Sequence, residues 1–372
     1  MSRAPLTLLV VSHPNVVPHN QLVYVRLAEL GWNLKLIVPN RWVDEYSPRG
    51  LVPTAVPGLV GTFTRVRTAR PGRHQRHFYV TRPSRWLRLW RPDALFLEQE
   101  PFSVPALQWG MAAQRLGIPW GLQGDENLDR PFPRPAIAIR RWTMPRADYF
   151  AARSPSAAAM LRRWGARAPV AVVPHTIPEW SLGERRTGTE FTIGYAGRLV
   201  PEKGIEDLID AVRRLTFPSR LLVVGDGPLR ARLQGATLQH SRLDLRTGVR
   251  SDAMPDLYRE MDLLVLPSRT AATWAEQFGK VLCEALLCQT PVIGSSCGEI
   301  PWVIDTTGGG LTFPEGDPGA LAAQITALHD DPARRRELGE RGREGVWHHF
   351  APRVAARALD ELIRAAIERR AD

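Results

Sequence analysis

Short apolar segments alternate with amphipathic segments along most of the chain, and this alternation limits the fold more than any other feature. Runs such as Leu8–Val11 have the length and character of buried strands, whereas Asn20–Leu30 repeats its apolar residues at helical intervals. Strands that alternate with helices are typical of parallel α/β domains rather than of sandwiches or helical bundles. The predicted strands are Leu6–Ser12, Leu34–Val38, Ala94–Glu98, Pro119–Leu122, Tyr149–Ala152, Val170–Val173, Phe191–Gly197, Leu221–Gly225, Leu243–Thr247, Leu263–Pro267, Val292–Gly294 and Leu311–Phe313.

The alternation is interrupted by a polar stretch with glycine at residues 179–190, which we interpret as an interdomain linker. A chain of 372 residues is long enough for two domains of about 100–200 residues each. The sequence therefore predicts a doubly wound domain over residues 1–178 and a second one over residues 191–350. A closing helical segment within residues 351–372 follows them.

Helical patterns are clearest in the second half of the chain. They cover Ile205–Leu215, Met254–Glu260, Gly279–Leu287, Ala320–His329 and Pro352–Arg369. The segment Arg41–Arg91 is less regular and rich in Pro, Gly and Arg, so we predict strands and loops there.

The composition excludes several classes of protein. With 44% hydrophobic and 23% charged residues, the chain is neither disordered nor fibrous. No apolar run approaches the ~18–20 residues of a membrane-spanning helix, and the apolar stretch Leu6–Val11 is too short for a signal peptide. Three cysteines, Cys283, Cys288 and Cys297, lack CxxC spacing and support neither a disulfide framework nor a zinc site. The expected location is the reducing cytoplasm.

Charge is distributed unevenly between the two halves. Residues 1–180 hold 24 Lys and Arg against 11 Asp and Glu, whereas residues 181–372 hold 25 against 27. Residues 63–91, hereafter the basic segment, contain nine arginines, no acidic residue and several aromatic rings. The pattern indicates an anionic partner for the first half, and a membrane surface is the partner we expect. The membrane surface that we expect is the inner face of the cell membrane.

Common cofactor motifs are absent from the sequence. It contains no G-x-G-x-x-G after a strand, no P-loop and no D-x-D carboxylate pair. His and Cys do not cluster at metal-ligand spacing, so neither a metal nor another cofactor is expected.

Two loops of the second half carry the residues of a ligand site. The first, Gly197–Gly204, follows a predicted strand and brings Arg198 and Lys203 to a helix start, where a diphosphate can be held. The second contains Glu276 before a predicted helix and Glu284 inside it. Because the neighbours of Glu284 are apolar, its carboxylate should be partly buried and needs hydrogen-bond partners, which ribose hydroxyls could supply.

Five motifs occur in an order that resembles the family 4 retaining glycosyltransferases, also described as glycosyl transferases group 1, which have the GT-B fold. They are GRLVPEKG (197–204), VGDGP (224–228), LVLPS (264–268), EQFGKVLCEAL (276–286) and PVIGSSCGEIP (291–301). The resemblance implies two Rossmann-like domains that face a central cleft, with the last helix crossing back to the first domain. It also implies transfer of a sugar from a nucleotide sugar without a metal ion.

The resemblance also assigns residues of the second domain to the donor. Arg198 and Lys203 would hold the diphosphate, Glu276 the sugar hydroxyls and Glu284 the ribose, and the first three are the catalytic candidates. The donor-binding candidates are Gly197, Gly225, Val249, Arg250, Gln277, Phe278, Gly279, Lys280 and Glu284.

The first half resembles the family less closely. The loop after the first strand has no glycine pair, and Gln123–Asn127 stands where many members have a histidine. The acceptor-site candidates in this half are His13, His19, Asn20 and Glu126.

Two alternatives to a glycosyltransferase with a membrane-held lipid or glycolipid acceptor remain open from the sequence. A sugar-nucleotide epimerase would have the same fold. A nucleic-acid-binding protein would fit the sequence pI of about 10.3, although no binding motif for DNA or RNA occurs.

Overall fold

A computed structural model describes residues 5–43, 50–184, 190–235, 238 and 240–371. The chain divides into two compact units. Unit 1 comprises Met1–Thr176 and Pro352–Asp372, and unit 2 comprises Ile177–Ala351. Residues 185–189 of the predicted linker lie outside the described residues, and 181–184 have no regular secondary structure.

Unit 1 is built on a parallel sheet of seven strands. Its order is β3-β2-β1-β6-β7-β8-β9, so the chain first winds in one direction from β1 and then in the other. A separate antiparallel pair, β4 and β5, lies outside this sheet. The strands of the unit are β1 Thr7–Ser12, β2 Asn33–Pro39, β3 Phe63–Val66, β4 Thr68–Ala69, β5 Phe78–Tyr79, β6 Ala94–Glu98, β7 Trp120–Gly124, β8 Tyr149–Ala152 and β9 Val170–Val172.

Helices follow most strands of unit 1, and serine or proline begins several of them. They are α1 Leu22–Glu29, α2 Pro83–Trp90, α3 Val104–Arg115, α4 Arg134–Thr143 and α5 Pro155–Arg163. The hydroxyls of Ser103 and Ser154 accept hydrogen bonds from backbone amides in the first turns of α3 and α5. These amides have no acceptor within the helix, so the serines cap the two helices. Alternate residues of β1 enter two different hydrophobic clusters, Leu8 and Val10 on one face and Leu9 and Val11 on the other. Both faces of the sheet are therefore covered, as in a doubly wound domain.

The helix α2 corrects the prediction of strands and loops throughout Arg41–Arg91. Pro83 occupies its first turn, where a missing N–H costs nothing, and Leu87 is buried beneath it. Arginines between the apolar residues obscured the helical period in the sequence. Residues 44–49 of the same segment lie outside the described part of the chain.

Unit 2 contains a parallel sheet of six strands in the order β12-β11-β10-β13-β14-β15. Its strands are β10 Phe191–Ala196, β11 Ser219–Val224, β12 Ser241–Arg246, β13 Leu263–Leu266, β14 Val292–Ser295 and β15 Gly310–Phe313. Its helices are α6 Ile205–Val212, α7 Arg230–Gln234, α8 Met254–Glu260, α9 Lys280–Leu287, α10 Ile300–Thr307, α11 Pro318–Asp330 and α12 Pro332–His349. Alternate residues of β13 again enter different clusters, Leu263 and Val265 on one face and Leu264 and Leu266 on the other. This strand order is that of the Rossmann fold, which confirms the predicted class.

The last helix, α13 Pro352–Ala371, belongs to unit 1 although it follows unit 2 in the chain. It packs against α1, and Ala355, Leu359 and Ile363 are buried in the same cluster as Leu8. The indole nitrogen of Trp32 donates a hydrogen bond of 2.6 Å to Asp360. Among the described residues, none of the helices has the length and apolar character that crossing a bilayer requires.

Candidate active site

The strand order of unit 2 locates its candidate site. β10 and β13 are neighbours in the sheet, but the chain leaves them in opposite directions, so their carboxyl ends form the topological switch point. Open α/β sheets bind ligands at this point because the diverging loops leave a crevice. The loops that begin there, 197–204 and 267–279, are the two that the sequence analysis selected.

The loop after β10 is joined to the loop after β11 by backbone hydrogen bonds. The amide of Gly197 donates to Val224 O over 3.0 Å, that of Leu199 donates to Asp226 O over 2.9 Å, and that of Leu229 donates to Leu199 O over 3.0 Å. A Cβ atom at Gly225 would collide with the carbonyl oxygen of Gly197. Gly225 is therefore required by the close approach of the two loops.

Lys203 and Glu276, which lie on different loops, form an ion pair. Nζ of Lys203 is 2.6 Å from Oε2 of Glu276, and the two side chains are only 15% and 10% exposed. Ser268 donates a hydrogen bond of 2.9 Å to the same carboxylate oxygen. The ammonium group also lies 4.8 Å from the ring centre of Trp274. The structure thus brings together two groups that the resemblance assigned to different parts of the donor.

The backbone around Glu276 is held by the loop after β14. The amide of Glu299 donates to Glu276 O over 2.9 Å. Gly298 has a φ of +56°, and a Cβ there would collide with the same carbonyl oxygen. These contacts hold the backbone of Glu276 against the loop after β14.

The other candidates of this loop differ in environment. Gln277 is exposed, whereas Phe278 is buried and its ring packs against Trp302 and Phe350. Any contact of Phe278 with a ligand therefore has to come from its backbone. Gly279 precedes α9 with a φ of +73°, a conformation that favours glycine.

Arg198 is partly exposed on the loop after β10. Its guanidinium lies 3.8 Å from Glu202, and its carbonyl oxygen accepts a hydrogen bond of 2.6 Å from the phenol of Tyr195.

Glu284 has a buried partner that the sequence analysis did not identify. The phenol of Tyr258, on α8, donates a hydrogen bond of 2.8 Å to Oε2 of Glu284. Burial raises the pKa of Glu284, while Lys280 and the Tyr258 hydrogen bond lower it. Burial also lowers the pKa of Lys280, against the attraction of Glu284. Ionisation of Glu284 in this position therefore costs free energy, and further hydrogen-bond donors to its carboxylate would reduce that cost.

Val249 and Arg250 lie in the loop after β12. Val249 is partly buried against a core cluster of unit 2, and Arg250 is exposed and ion-paired with Asp252 at 2.8 Å. Among the described residues, neither of them forms a hydrogen bond or an ion pair with Lys203 or Glu276.

The corresponding switch point of unit 1 lies between β1 and β6, and it holds a buried polar network. Arg153 forms a 2.5 Å ion pair with Glu98, and the two side chains are 8% and 3% exposed. The same carboxylate accepts hydrogen bonds of 2.6 Å from Asn15 and 2.8 Å from Tyr24, and Arg153 also donates to Gln123. Sequence reasoning missed this network, although Glu98 and Gln123 are polar residues at the ends of apolar strands, which is a usable signal.

Two carboxyl groups next to this network have raised pKa values. Burial and the neighbouring charges of Asp125 and Glu126 raise the pKa of Glu100 well above its ordinary value. Burial also raises the pKa of Asp125, although Arg153 opposes this shift.

His13 lies in a cluster of aromatic rings. Its Nε2 is 3.1 Å from Nδ1 of His74, and the rings of Trp42 and His77 lie 5.0 and 5.2 Å away. Burial lowers the pKa of His13 well below its usual value, and the two neighbouring histidines lower it further. Burial lowers the pKa of His77 to about 4. His13 is therefore neutral at physiological pH.

The remaining acceptor-site candidates have local partners. Asn20 donates a hydrogen bond of 2.8 Å to Pro14 O, and Glu126 forms a 2.7 Å ion pair with Arg130. His19 lies in the short 3₁₀ segment Pro18–Gln21, before α1. In the described part of the chain, neither Asn20 nor Glu126 forms a hydrogen bond or an ion pair with His13.

Comparison with known protein families gives a match in each unit. The model of Glycosyltransferase Family 4 matches residues 19–179, and that of Glycosyl transferases group 1 matches residues 190–331. Together they cover most of the chain. The chain belongs to the family 4 glycosyltransferases. This membership favours sugar transfer over the epimerase and nucleic-acid-binding alternatives.

Individual relatives of this glycosyltransferase are distant. An uncharacterized glycosyltransferase of Methanocaldococcus jannaschii is 30% identical over 152 residues, which are 40% of this chain and 41% of the relative. The 2-deoxystreptamine N-acetyl-D-glucosaminyltransferase of Streptomyces fradiae is 26% identical over 314 residues, 76% of this chain and 73% of the relative. For several other curated relatives the match spans less than half of their length.

Solved structures confirm the fold of the glycosyltransferase. Sucrose-phosphate synthase from Thermosynechococcus elongatus has a TM-score of 0.72 at 20% identity, with 98% of this chain and 100% of that chain covered. HepE of Anabaena, solved in complex with UDP, has a TM-score of 0.69 at 16% identity, with 97% and 100% covered. The predicted GT-B fold is therefore confirmed at the level of its two Rossmann-like units.

Within the described residues, no group of three or more His, Cys, Asp or Glu side chains is arranged to hold a metal ion.

Proposed function

We propose that this glycosyltransferase transfers a hexose from a nucleoside diphosphate sugar to a membrane-held lipid or glycolipid. The transfer retains the configuration at the anomeric carbon. Such a reaction belongs to the synthesis of envelope glycans or glycolipids. The observation that carries the donor side is the Lys203–Glu276 pair at the switch point of unit 2, because it puts a cation and a carboxylate where a ligand of this fold binds.

The residues of unit 2 divide the donor between them in this proposal. Lys203 and Arg198 hold the diphosphate, with Gly197 beside them on the loop that Gly225 allows to approach. Glu276 accepts hydrogen bonds from the sugar hydroxyls, and Gln277, Phe278 and Gly279 contribute backbone or side-chain contacts next to it. The complex of HepE with UDP supports a uridine diphosphate or a similar nucleotide as the donor portion.

The nucleoside end of the donor lies at α9 in this proposal. Glu284, with Lys280 one turn before it, accepts hydrogen bonds from the ribose hydroxyls, and Val249 and Arg250 line the base. A partly buried carboxylate whose pKa is raised by burial gains from two such donors, which supports the assignment of Glu284.

The chemistry consists mainly of stabilising the leaving group. As the bond between sugar and phosphate breaks, negative charge grows on the diphosphate, and preorganised cations next to it lower the barrier. Lys203 is held in place by Glu276 and by the ring of Trp274, so little reorganisation is needed when that charge appears. We assign this role to the chain's own cations and expect no metal cofactor.

Without a protein nucleophile, retention requires the acceptor to attack from the face that the diphosphate leaves. We assign no protein nucleophile and propose that the departing phosphate itself takes up the acceptor proton. The acceptor-site candidates His13, His19, Asn20 and Glu126 of unit 1 remain proposals, and the Glu98–Arg153 network supports a polar acceptor group in the same unit.

The basic segment supports a membrane-held acceptor. All nine of its arginines are exposed, and in the part of the chain that the structure describes none of them forms an ion pair with a carboxylate. Exposed apolar side chains lie among them, with Leu89 63%, Val80 50% and Phe78 39% exposed. Each basic residue near an anionic bilayer contributes about 1 kcal/mol, and aromatic rings anchor at the depth of the headgroups. We therefore propose a peripheral protein on the inner face of the cell membrane.

Product analysis tests the function. The purified enzyme should be incubated with UDP-, GDP-, ADP- and dTDP-sugars and with membrane lipid extract, and the anomeric configuration of the lipid product determined by NMR. The proposal expects one donor class to be consumed only when lipid is present and the configuration to be retained. Conversion of a nucleotide sugar without an acceptor would indicate epimerisation, and an inverted product would contradict retention.

A further inference from the structure

A cavity of about 420 Å³ opens between α2 and α3 of unit 1, and none of the residues assigned to the donor lines it. Its volume lies within the range of about 300–1,000 Å³ that small-molecule sites occupy. Arg82 and Arg88, at the start and in the last turn of α2, line it together with Arg115 at the end of α3. We propose that this cavity binds the phosphate group of an anionic membrane lipid, so that the enzyme recognises a lipid headgroup in addition to the surface charge.

The charge of the cavity supports an anionic occupant. No carboxylate is among the residues that line it, and none of its three guanidinium groups forms an ion pair within the described ranges of the chain. An anion between three like charges offsets their mutual repulsion, which solvent reduces because the three side chains are exposed. A phosphate group suits such a site because guanidinium groups bind its oxygens in bidentate geometry.

Hydrogen bonds hold the backbone elements that form the cavity. Gln108 of α3 donates to Tyr79 O over 2.8 Å and accepts from the amide of Tyr79 over 3.2 Å, which ties α3 to β5. The indole of Trp86 donates to the Thr81 hydroxyl over 2.9 Å, which orients the chain where it enters α2. Pro83 restricts the backbone at that entry.

The surroundings favour a lipid over a soluble phosphate ester. Met111, Ala112 and Leu116 add apolar surface to the lining of the cavity. Leu89, on the same helix as Arg88, is exposed. A headgroup phosphate with adjoining glycerol and the first acyl methylenes matches this combination of charged and apolar walls. This inference rests on the membrane association proposed above.

Vesicle binding tests the inference. Binding of the full chain is measured by co-sedimentation with vesicles that contain phosphatidic acid or phosphatidylglycerol, adjusted to the same surface charge. Phosphatidic acid exposes a phosphate monoester, which the cavity can surround, whereas the diester of phosphatidylglycerol is partly shielded. We expect roughly tenfold tighter binding to phosphatidic acid, the gain of one additional charge-assisted hydrogen bond.

Two variants with the same charge distinguish the cavity from general attraction. Arg115→Gln removes a cavity arginine, and Arg76→Gln removes an exposed arginine of the basic segment that does not line the cavity. Arg115→Gln should abolish the preference for phosphatidic acid, whereas Arg76→Gln should weaken binding to both vesicles equally. Circular dichroism and the melting temperature check that both variants fold.

The other outcomes separate this inference from the proposed function. Binding to both vesicles without preference, with equal effects of the two variants, would overturn the cavity site but leave membrane association intact. No binding to either vesicle would overturn membrane association itself. Binding of glycerol 3-phosphate in solution as tightly as of phosphatidic acid vesicles would overturn the lipid as the source of the phosphate.

Discussion

The ammonium group of Lys203 lies 2.6 Å from Oε2 of Glu276, although 72 residues separate the two in the chain. Each residue thus neutralises the other at the switch point of unit 2. A bound donor would offer phosphate oxygens to Lys203 and sugar hydroxyls to Glu276, so neither charge would be left unpaired when donor binds. The same ion pair should therefore contribute both to the free energy of unfolding and to donor binding.

Removing Lys203 should therefore affect both activity and stability. Lys203→Ala is expected to lower kcat/KM by about 10²–10³, the loss seen when one donor to a developing oxyanion is removed. It should also lower the free energy of unfolding by about 1–3 kcal/mol because Glu276 loses its buried partner. Steady-state kinetics and urea unfolding measure the two effects, with the exposed Arg213→Ala as the control.

The double variant Lys203→Ala/Glu276→Ala separates the two effects. It should regain part of the lost stability, because no unpaired charge remains, while its activity stays low. Additive losses of stability, or wild-type kcat/KM in Lys203→Ala, would contradict the roles given to the pair.

Gly225→Ala should disrupt the contact between the loops after β10 and β11. Its methyl group would collide with Gly197 O, so the loop that carries Arg198 has to move. We expect kcat/KM to fall at least about tenfold, since misplacement of about 1 Å can cost a hundredfold. Gly235→Ala is the matched control, because its nearest neighbour would be 3.8 Å away. Equal activity of the two variants would show that the loop contact is dispensable.

Glu284→Gln should stabilise the enzyme while weakening its binding of donor. Burial raises the pKa of Glu284 in the folded state, so the folded protein holds this proton more tightly than the unfolded chain does. Stability from this group is present below the unfolded pKa of about 4.3 and is lost as the pH rises through the folded pKa. Glutamine removes that loss and still accepts a hydrogen bond from Tyr258.

Urea unfolding between pH 4 and pH 8 measures this effect. The free energy of unfolding of Glu284→Gln should exceed that of the wild type at pH 8 and approach it near pH 4. The exposed Glu337→Gln should change stability by less than about 0.5 kcal/mol at any pH. A lower stability of Glu284→Gln at pH 8 would show that the carboxylate is well satisfied by Lys280 and Tyr258.

Chelation tests whether the chain's own cations are sufficient. Activity should survive dialysis against EDTA, because in the proposal Arg198 and Lys203 neutralise the negative charge of the diphosphate. Loss of activity that Mg²⁺ or Mn²⁺ restores would contradict this assignment. The metal content of the purified enzyme provides the control.

Replacing Arg82, Arg85, Arg88 and Arg91 by Gln should release the enzyme from anionic membranes. The wild type should co-sediment with phosphatidylglycerol vesicles at low salt and dissociate at high salt, because ions screen exposed charges over about 10 Å at 0.1 M. A variant with four exposed arginines of unit 2 replaced is the control: Arg213, Arg232, Arg334 and Arg336. Nucleotide-sugar affinity should be unchanged in both variants. Equal partitioning of the wild type onto neutral and anionic vesicles would leave the basic segment as a solvated surface.

The sequence predicted the strands well because each is a short apolar run bounded by turn residues. The prediction Phe191–Gly197 became β10 Phe191–Ala196, and Ala94–Glu98 agrees with β6 at both ends. The helix α2 was missed because arginines interrupt the apolar positions that reveal a helical period.

Contacts between distant residues account for what the sequence could not predict at the sites. Glu98 and Arg153 belong to different strand ends, and only the strand order makes them neighbours. Tyr258 reaches Glu284 because α8 packs against α9, which no local pattern reveals. Lys203 and Glu276 were each selected from the sequence, but their pairing follows from the adjacency of β10 and β13.

The most direct test of the account is calorimetric titration of nucleoside diphosphate sugars into the wild type, Lys203→Ala and Glu284→Ala. One class of nucleotide sugar should bind the wild type, and it should raise the stability of the folded protein by about 2.7 kcal/mol at a hundredfold excess over Kd. Both variants should bind that donor at least about tenfold more weakly, a loss of about 1.4 kcal/mol. Wild-type affinity in both variants, or no binding of any nucleotide sugar to the wild type, would contradict the donor site described for unit 2.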